Sequence, residues 1–387
     1  MINSNYKRFG IETKLLGEYG KLIPESVFSG KSILITGHTG FKGSWLSIWL
    51  SILGAKVHGF SLLPATEPNH YSLASISQVL TSEKIGDIRD KKSLASYISE
   101  VKPDCIFHLA AQPLVRISYS QPLETFDVNV MGSINLLESI RILPNPCTVI
   151  MVTSDKCYHN YGQVWGYRES DPLGGNDPYS ASKAAAEIVI ASYRNSFFTP
   201  SKILDHKVKI ASVRAGNVIG GGDWSPDRII PDAVKAIISK KPLMIRNPTA
   251  IRPWQNVLEP LAGYLTLAAE MMRCNEQYLL SAWNFGPLPT DTASVEKIIT
   301  KFFRKWGEGQ FELDISPNNP PEAPILRLSS EKAISILNWK PIWDLSKSID
   351  ITVSWYKDYY SGCENMLKRS SDDILQYMKD MEDISAN

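Results

Sequence analysis

The sequence is short of histidine, with six in 387 residues, and its five cysteines include no C-x-x-C pair. Cys105, Cys147, Cys157, Cys274 and Cys363 are odd in number and widely spaced, which argues against a disulfide framework and a zinc site, so no metal is expected. Net charge is nearly absent. With 41 Lys and Arg against 40 Asp and Glu, no global field favours nucleic acid or an anionic membrane, and neither is expected as a partner. No apolar run is long enough to cross a bilayer. The first 30 residues carry charges at Lys7, Arg8, Glu12, Lys14, Glu18 and Lys21, where a signal peptide needs an uninterrupted apolar stretch. Internal repeats and low-complexity tracts are missing too. These absences point to a cytoplasmic, reducing setting, in which any anionic ligand must be held by local groups.

What is present is apolar sequence, 43% of the chain, enough for a substantial core. Short β-branched runs at 32–36, 56–61, 104–108, 148–153 and 209–213 alternate with helical spacing at 41–53, 122–141 and 179–198, and a further β-like segment precedes Asp87. This order implies an α/β fold, a Rossmann-type doubly wound parallel sheet with helices on both faces. After Gly216 the pattern breaks into loop-rich stretches, GNVIGGGDWSPDR, RNPTAIRPWQN, NFGPLPTD and SPNNPPEAP, between helical patterns at 295–306, 330–337 and 345–360. That change suits a smaller C-terminal substrate-binding domain. The expected layout is an N-terminal extension (1–30), a dinucleotide-binding domain (31–216) to which later segments return, a mainly substrate-binding domain (217–360), and a charged peripheral tail (361–387).

TGHTGFKG places Gly37, Gly40 and Gly43 directly after the first strand, with Thr39, Phe41 and Lys42 between and beside them. Glycine lets backbone N–H groups approach a pyrophosphate at the start of a helix. Taken alone the triplet equally describes a tight strand-to-helix turn. Its place at the start of a βαβ unit favours dinucleotide binding. Ser61 ends the second strand, Asp87 and Ile88 follow the third, and Ala110, Ala111 and Gln112 follow the fourth, all at the carboxyl edge where such a ligand lies. Asp87 also reads as a helix N-cap, and His108, in an apolar run, as a core residue. Ser61 offers neither a carboxylate for a ribose diol nor an arginine for a 2′-phosphate; NAD is favoured and NADP stays open.

DPYSASK puts Tyr179 and Lys183 four residues apart, on one helix face. An adjacent ammonium is expected to lower the phenol's pKa, so that the pair can take a proton from a sugar hydroxyl while hydride leaves the same carbon. TSDKCY ends the strand at 148–153 with Thr153, Asp155 and Lys156. Neighbouring strand residues face opposite ways, which leaves open whether Asp155 and Lys156 share a site or form a capping ion pair.

In order, TGHTGFKGSWLS, HLAAQPLVRISY, NVMGS, TSDKCY, GGNDPYSASK, GGGDWSPDRIIPD and RPWQNVLEPLAGYL, spanning about residues 30–360, resemble the extended short-chain dehydrogenases/reductases. These form the NAD-dependent epimerase/dehydratase family, and within it the segments are similar to those of the CDP-glucose 4,6-dehydratases. Their relatives typically carry R-D-W-x-Y-V where this chain has Arg252-Pro253-Trp254-Gln255-Asn256-Val257. The resemblance implies oxidation at C4 of a glucosyl ring, loss of water across C5 and C6, and return of the hydride to C6. It assigns Tyr179 and Lys183 to C4, Asp155 to the C6 oxygen and Lys156 to the position of the C5 base. It also gives Thr153 a hydrogen bond to O4 and Asn129 a role in positioning the lysine. A nucleotide-sugar substrate is implied, CDP-glucose favoured, with Arg116, Arg228 and Arg252 as cations, Asn217 and Asp223 as hydrogen-bonding partners, and Trp224 and Trp254 either stacking on the nucleoside or packing in the core. Dimerisation, or a higher homo-oligomer, would pair the helices at 122–141 and 179–198. Two other readings stay open: another nucleotide-sugar dehydratase or C4 epimerase, and a non-enzymatic nicotinamide-dinucleotide-binding regulator.

Overall fold

A computed structural model describes residues 23–314, 316 and 323–385. Residues 1–22 of the expected N-terminal extension lie outside the described residues. The strands that bear on the site are β1 (Ser32–Thr36), β2 (Lys56–Ser61), β3 (Ser82–Ile85), β4 (Cys105–His108), β5 (Cys147–Val152), β6 (Val208–Ala215), β7 (Leu243–Ile245) and β8 (Ala282–Phe285). The longer helices are α1 (Phe41–Ile52), α2 (Lys91–Val101), α3 (Gly132–Arg141), α4 (Pro178–Ser196), α5 (Ile229–Ile238), α6 (Leu258–Arg273), α7 (Val295–Trp306), α8 (Leu345–Tyr360) and α9 (Met366–Ser385).

Seven strands form one sheet in the order β8-β6-β5-β4-β1-β2-β3, every pairing parallel. The chain winds outward from β1 through β2 to β3, then crosses to β4 on the other side of β1. That reversal leaves a crevice at the carboxyl ends of β1 and β4. Parallel strands covered on both faces are apolar throughout, as SILIT is: Ile33 and Ile35 enter one core with Trp45 and Trp49, while Leu34 enters the other with Phe60, Ile106 and Leu136. The edge strands SEKI and AWNF are short, and their sequences show little of this pattern.

Two helical details position the crevice. Asp177 caps α4, its carboxylate accepting from the Ser180 N–H at 2.9 Å and the Ser180 hydroxyl at 2.6 Å, with Pro178 in the first turn. The helical pattern at 122–141 is not one regular helix: Pro122–Phe126 passes through a π-turn, Asp127–Met131, into α3. Asn129 sits in that turn, a common place for a functional insertion.

The tail past residue 361 was expected to be peripheral, and instead α9 packs into the core. Ile374, Tyr377 and Met381 form a buried stripe at helical spacing beneath a charged exterior. The Tyr377 ring meets Trp49 and Trp343 edge-on, and its hydroxyl donates to Glu259 Oε2 at 2.7 Å. Glu259 also accepts from the N–H groups of Ile342 (3.0 Å) and Trp343 (2.6 Å), so one buried carboxylate joins α6, the chain before α8, and α9. No helix among the described residues is long and apolar enough to cross a membrane.

Tyr377→Phe removes one of Glu259's donors without opening a cavity, and should cost about 1–2 kcal/mol in denaturant unfolding. Unchanged stability would show that α9 is as peripheral as its composition suggests.

Candidate active site

A cavity of about 1370 Å³ runs from the glycine loop, past the carboxyl ends of β1, β4 and β5, into the C-terminal segments. At one end the chain leaves β1 through Gly37, whose φ is +82°. A Cβ there would lie 2.7 Å from the Ala110 N, and one on Gly43 would lie 2.1 Å from the Gly37 carbonyl oxygen. Only glycines allow this close turn, and with Gly40 they leave bare backbone against the cavity. Thr39 bonds the Ser61 hydroxyl and the Leu62 carbonyl, each at 2.8 Å, fixing the loop to the end of β2. Thr39, Phe41, Lys42, Ser61, Asp87, Ile88, Ala110 and Ala111 all line this end. The arrangement fits an elongated dinucleotide with its phosphates on the glycine loop.

Gln112 was expected to touch the cofactor, but it does not line the cavity. Its N–H donates to Asn129 Oδ1 (2.9 Å), its side-chain amide to Thr125 (2.9 Å), and its Oε1 accepts from the Leu114 N–H (2.6 Å). Asn129 is likewise behind the wall, donating to the Gln112 carbonyl and to the Ser182 hydroxyl beside Lys183. Both therefore brace the loop after β4 against α4. Asp87 lines the cavity with its carboxylate held by Arg89 Nη2 at 2.6 Å, while the cap of α2 is Asp90. His108 is a satisfied core residue, bonded to Thr36 at 2.7 Å and pushed down to about 3 by burial.

The catalytic candidates meet midway along the cavity. β5 stops at Val152, and Asp155–Cys157 forms a 3₁₀ turn whose N–H at Lys156 bonds the Ser154 hydroxyl. Strand alternation therefore no longer applies, and Asp155 and Lys156 both line the cavity. Asp155 is 3% exposed, and burial pushes its carboxyl up. Oδ1 accepts from Ser154 at 3.1 Å, whereas Oδ2 has no hydrogen-bond partner among the described residues, so no capping ion pair forms through it. Such an orphaned oxygen is costly unless a ligand meets it.

Two expectations at this site need correction. Burial pushes the Tyr179 phenol up to about 12; the Ser154 hydroxyl and the Arg228 guanidinium pull it down and Asp155 pushes it up. The anticipated depression by Lys183 does not prevail against burial of the phenol; the Lys183 ammonium is itself lowered by burial, to about 8. Thr153 was expected to donate to a sugar oxygen, but its hydroxyl donates to Glu187 at 2.5 Å. Ser154, one residue further on, is the hydroxyl that acts on Tyr179. Sequence reasoning missed Ser154, and it missed Glu187, one helical turn past Lys183 on α4. Glu187 also accepts from Ser212 and from Arg214, both at 2.8 Å. Burial works against its charge, yet the Arg214 guanidinium holds its carboxyl below the usual range. The Y-S-A-S-K-A-A-A-E spacing was the available signal.

Lys42 belongs to this centre as well as to the loop: burial lowers it to about 8, with Arg228 acting in the same sense and Asp155 opposing. Arg116, Asn217, Asp223, Trp224, Arg228 and Arg252 line the remaining wall. Asp223 holds Arg228 at 2.8 Å, Arg116 pairs with Asp227 at 2.9 Å, and Arg252 is buried, donating to the Ile251 carbonyl at 3.0 Å. The Trp224 indole is not a stacking platform: it is 3% exposed and its ring meets Trp355, Tyr356 and Tyr359 edge-on. Trp254 is also core, donating to the Ala293 carbonyl.

A family model described as GDP-mannose 4,6 dehydratase matches residues 34–352. The CDP-glucose 4,6-dehydratase of Salmonella typhimurium is 46% identical over 92% of this chain and 99% of its own length. The UDP-glucose 4-epimerase of Mycoplasma pneumoniae is 25% identical over 85% of this chain and 97% of its own. Among solved structures, the dTDP-glucose 4,6-dehydratase of Bacillus anthracis in complex with NAD aligns with a TM-score of 0.70 at 22% identity, over 85% of this chain and 97% of that one. The UDP-glucose 4-epimerase of Thermus thermophilus with NAD aligns at 0.69 and 22%, over 86% and 99%.

Because burial raises the Asp155 carboxyl, the folded state holds that proton to higher pH than the unfolded chain, and stability falls as pH rises above the ordinary carboxylate range. Asp155→Asn should therefore raise the melting temperature at pH 8 and change it little at pH 4. Equal effects at both pH values would show that its ionisation is not opposed by burial.

Proposed function

The chain belongs to the GDP-mannose 4,6 dehydratase family, and from that premise we propose that it converts CDP-glucose to CDP-4-keto-6-deoxyglucose, as a cytoplasmic NAD-dependent hydro-lyase. The observation that carries this reading is the presence of Asp155 and Lys156 in the same cavity as Tyr179 and Lys183. Exchange at C4 alone needs only the tyrosine and lysine. Loss of water across C5 and C6 needs a second acid and a second base.

The glycine loop, Thr39, Ser61, Asp87, Ile88, Ala110 and Ala111 hold the dinucleotide. NAD bound there would supply a reversible hydride store, for C4 and then for C6, and would need no outside reductant. Tyr179, as phenolate, removes the proton from the C4 hydroxyl, and Lys183 supplies positive charge next to it. Ser154 orients the phenol. Once C4 is a ketone the C5 proton is acidic, and Lys156 removes it. Asp155, whose carboxyl burial keeps protonated to higher pH, gives its proton to the departing C6 hydroxyl, which leaves as water. Arg228 and Arg252 pair with the diphosphate.

A C4 epimerase on the same fold is the second reading, and the acid aimed at C6 disfavours it. The dimer we infer would cover Leu123, Met131 and Ile188, apolar side chains on the π-turn segment and α4 that are 83%, 46% and 59% exposed.

Incubation with CDP-, dTDP-, GDP- and UDP-glucose should yield a product lighter by one water from CDP-glucose, read by mass spectrometry. No product from any of them would overturn the reaction. Tyr179→Phe should slow turnover by about 100-fold or more and leave bound NAD oxidised. Lys156→Met should still oxidise C4 but no longer take up solvent deuterium at C5; undiminished exchange would remove Lys156 from the base role.

A further inference from the structure

The cavity continues beyond the arginines. Arg228 is the N-terminal cap of α5, and from there the wall includes Asp232, Lys235 and Ser239, one helical face at i, i+3 and i+7, together with β7 and Val295. Asp232 stands four residues past Arg228, about 6 Å further along the helix axis. A nucleoside diphosphate with its phosphates at Arg228 and Arg252 therefore directs its base along this wall, which the apolar strand Leu243–Ile245 also lines.

The carboxylates at this end are not equivalent. Asp223 is held by Arg228 at 2.8 Å, Asp227 by Arg116 at 2.9 Å and Arg246 at 3.3 Å, and Asp314 accepts from the Ser316 N–H at 3.0 Å. Among the described residues Asp232 has only a long ion-pair contact, 3.8 Å from Lys235 Nζ, and that ammonium bonds instead to the Trp224 carbonyl at 3.0 Å. Its side chain is 35% exposed, towards the cavity. Burial raises the Asp232 carboxyl to about 6, with Lys235 and Arg246 lowering it and Asp227 and Asp223 raising it, so it is ionised at neutral pH and above.

We propose that Asp232 determines base specificity, its carboxylate accepting a hydrogen bond from the 4-amino group of cytosine and repelling the 4-carbonyl oxygen of uracil or thymine. A carboxylate is the acceptor that suits the cytosine amino group. Against a 4-oxo base two acceptors face each other, which rejects the wrong ligand as much as the amino contact rewards the right one. This inference rests on the reading of the substrate as a cytidine sugar nucleotide.

The test is the binding of CDP and of UDP to the NAD-loaded protein by calorimetry, alongside kcat/KM on CDP-glucose and UDP-glucose. The wild type should prefer CDP by about tenfold or more. Asp232→Asn, whose amide can donate to a 4-oxo group, should cut that preference at least tenfold, partly by tighter UDP binding. Asp232→Ser, a smaller change at a half-exposed position, should lose CDP affinity without gaining UDP. A wild type without preference for CDP, or variants that keep the wild-type preference, would overturn the assignment. A wild type that selects CDP through Asp232 but forms no 4-keto-6-deoxy product would instead sink the reaction and leave the base contact standing.

Discussion

The site depends on a buried ion pair that does not line the cavity. Glu187 and Arg214, 2% and 3% exposed, meet at 2.8 Å beneath the cavity floor. A charge so placed is tolerable only when every lone pair and proton is used, and here nearly all are: Glu187 also takes the hydroxyls of Thr153 and Ser212, and Arg214 donates to Tyr158, which in turn donates to Asn284. The network therefore ties α4, the end of β5, β6 and β8 at fixed separation. Tyr179 and Lys183 ride on the first of these elements, and Ser154, Asp155 and Lys156 follow the second. Catalytic geometry must hold within fractions of an ångström, and a directional, enclosed network holds it better than apolar packing alone.

Above that floor, burial is the leading influence on the ionisable groups. It brings Lys42 and Lys183 down to about 8 and pushes Asp155 and Tyr179 up. Burial thus moves Asp155 towards its proton-donating form, whereas it opposes the phenolate that Tyr179 must become, which the Ser154 hydroxyl and the Arg228 guanidinium favour. Proton transfer among such groups needs less rearrangement of charge than among fully ionised ones. The same burial that costs folding stability at Asp155 is what makes it useful as an acid.

Much of this was legible in the residues. β1, β2 and the helix 295–306 fall where the hydrophobic periods put them, because a parallel strand buried on both faces and an amphipathic helix each leave an unmistakable pattern. The edge strand β8 and α9 were not legible, since four residues that run straight into the loop-rich NFGPLPTD carry too short a pattern and a charged exterior masks a narrow buried stripe. The glycine loop, the Tyr179–Lys183 pair and the Asp155–Lys156 turn converge on one cavity as their motifs suggested. Gln112 and Thr153 do not serve as expected, for a common reason: each has a protein partner that claims its polar group, while for Trp224 the core alternative holds because distant aromatic rings take its indole.

The residue types and their spacing alone determined the α/β winding order, the turn only glycine can make, and which acids and bases are available to the chemistry. These follow from local sterics and from short-range periodicity, which a linear chain records. Only the tertiary structure decided which hydroxyl faces Tyr179, that Lys42 shares the centre with Asp155, and that Asp232 is left facing the cavity while its neighbours are held by arginines. Those outcomes depend on contacts between residues tens to hundreds of positions apart and on how deeply each charge is taken from water, quantities that sequence spacing does not carry.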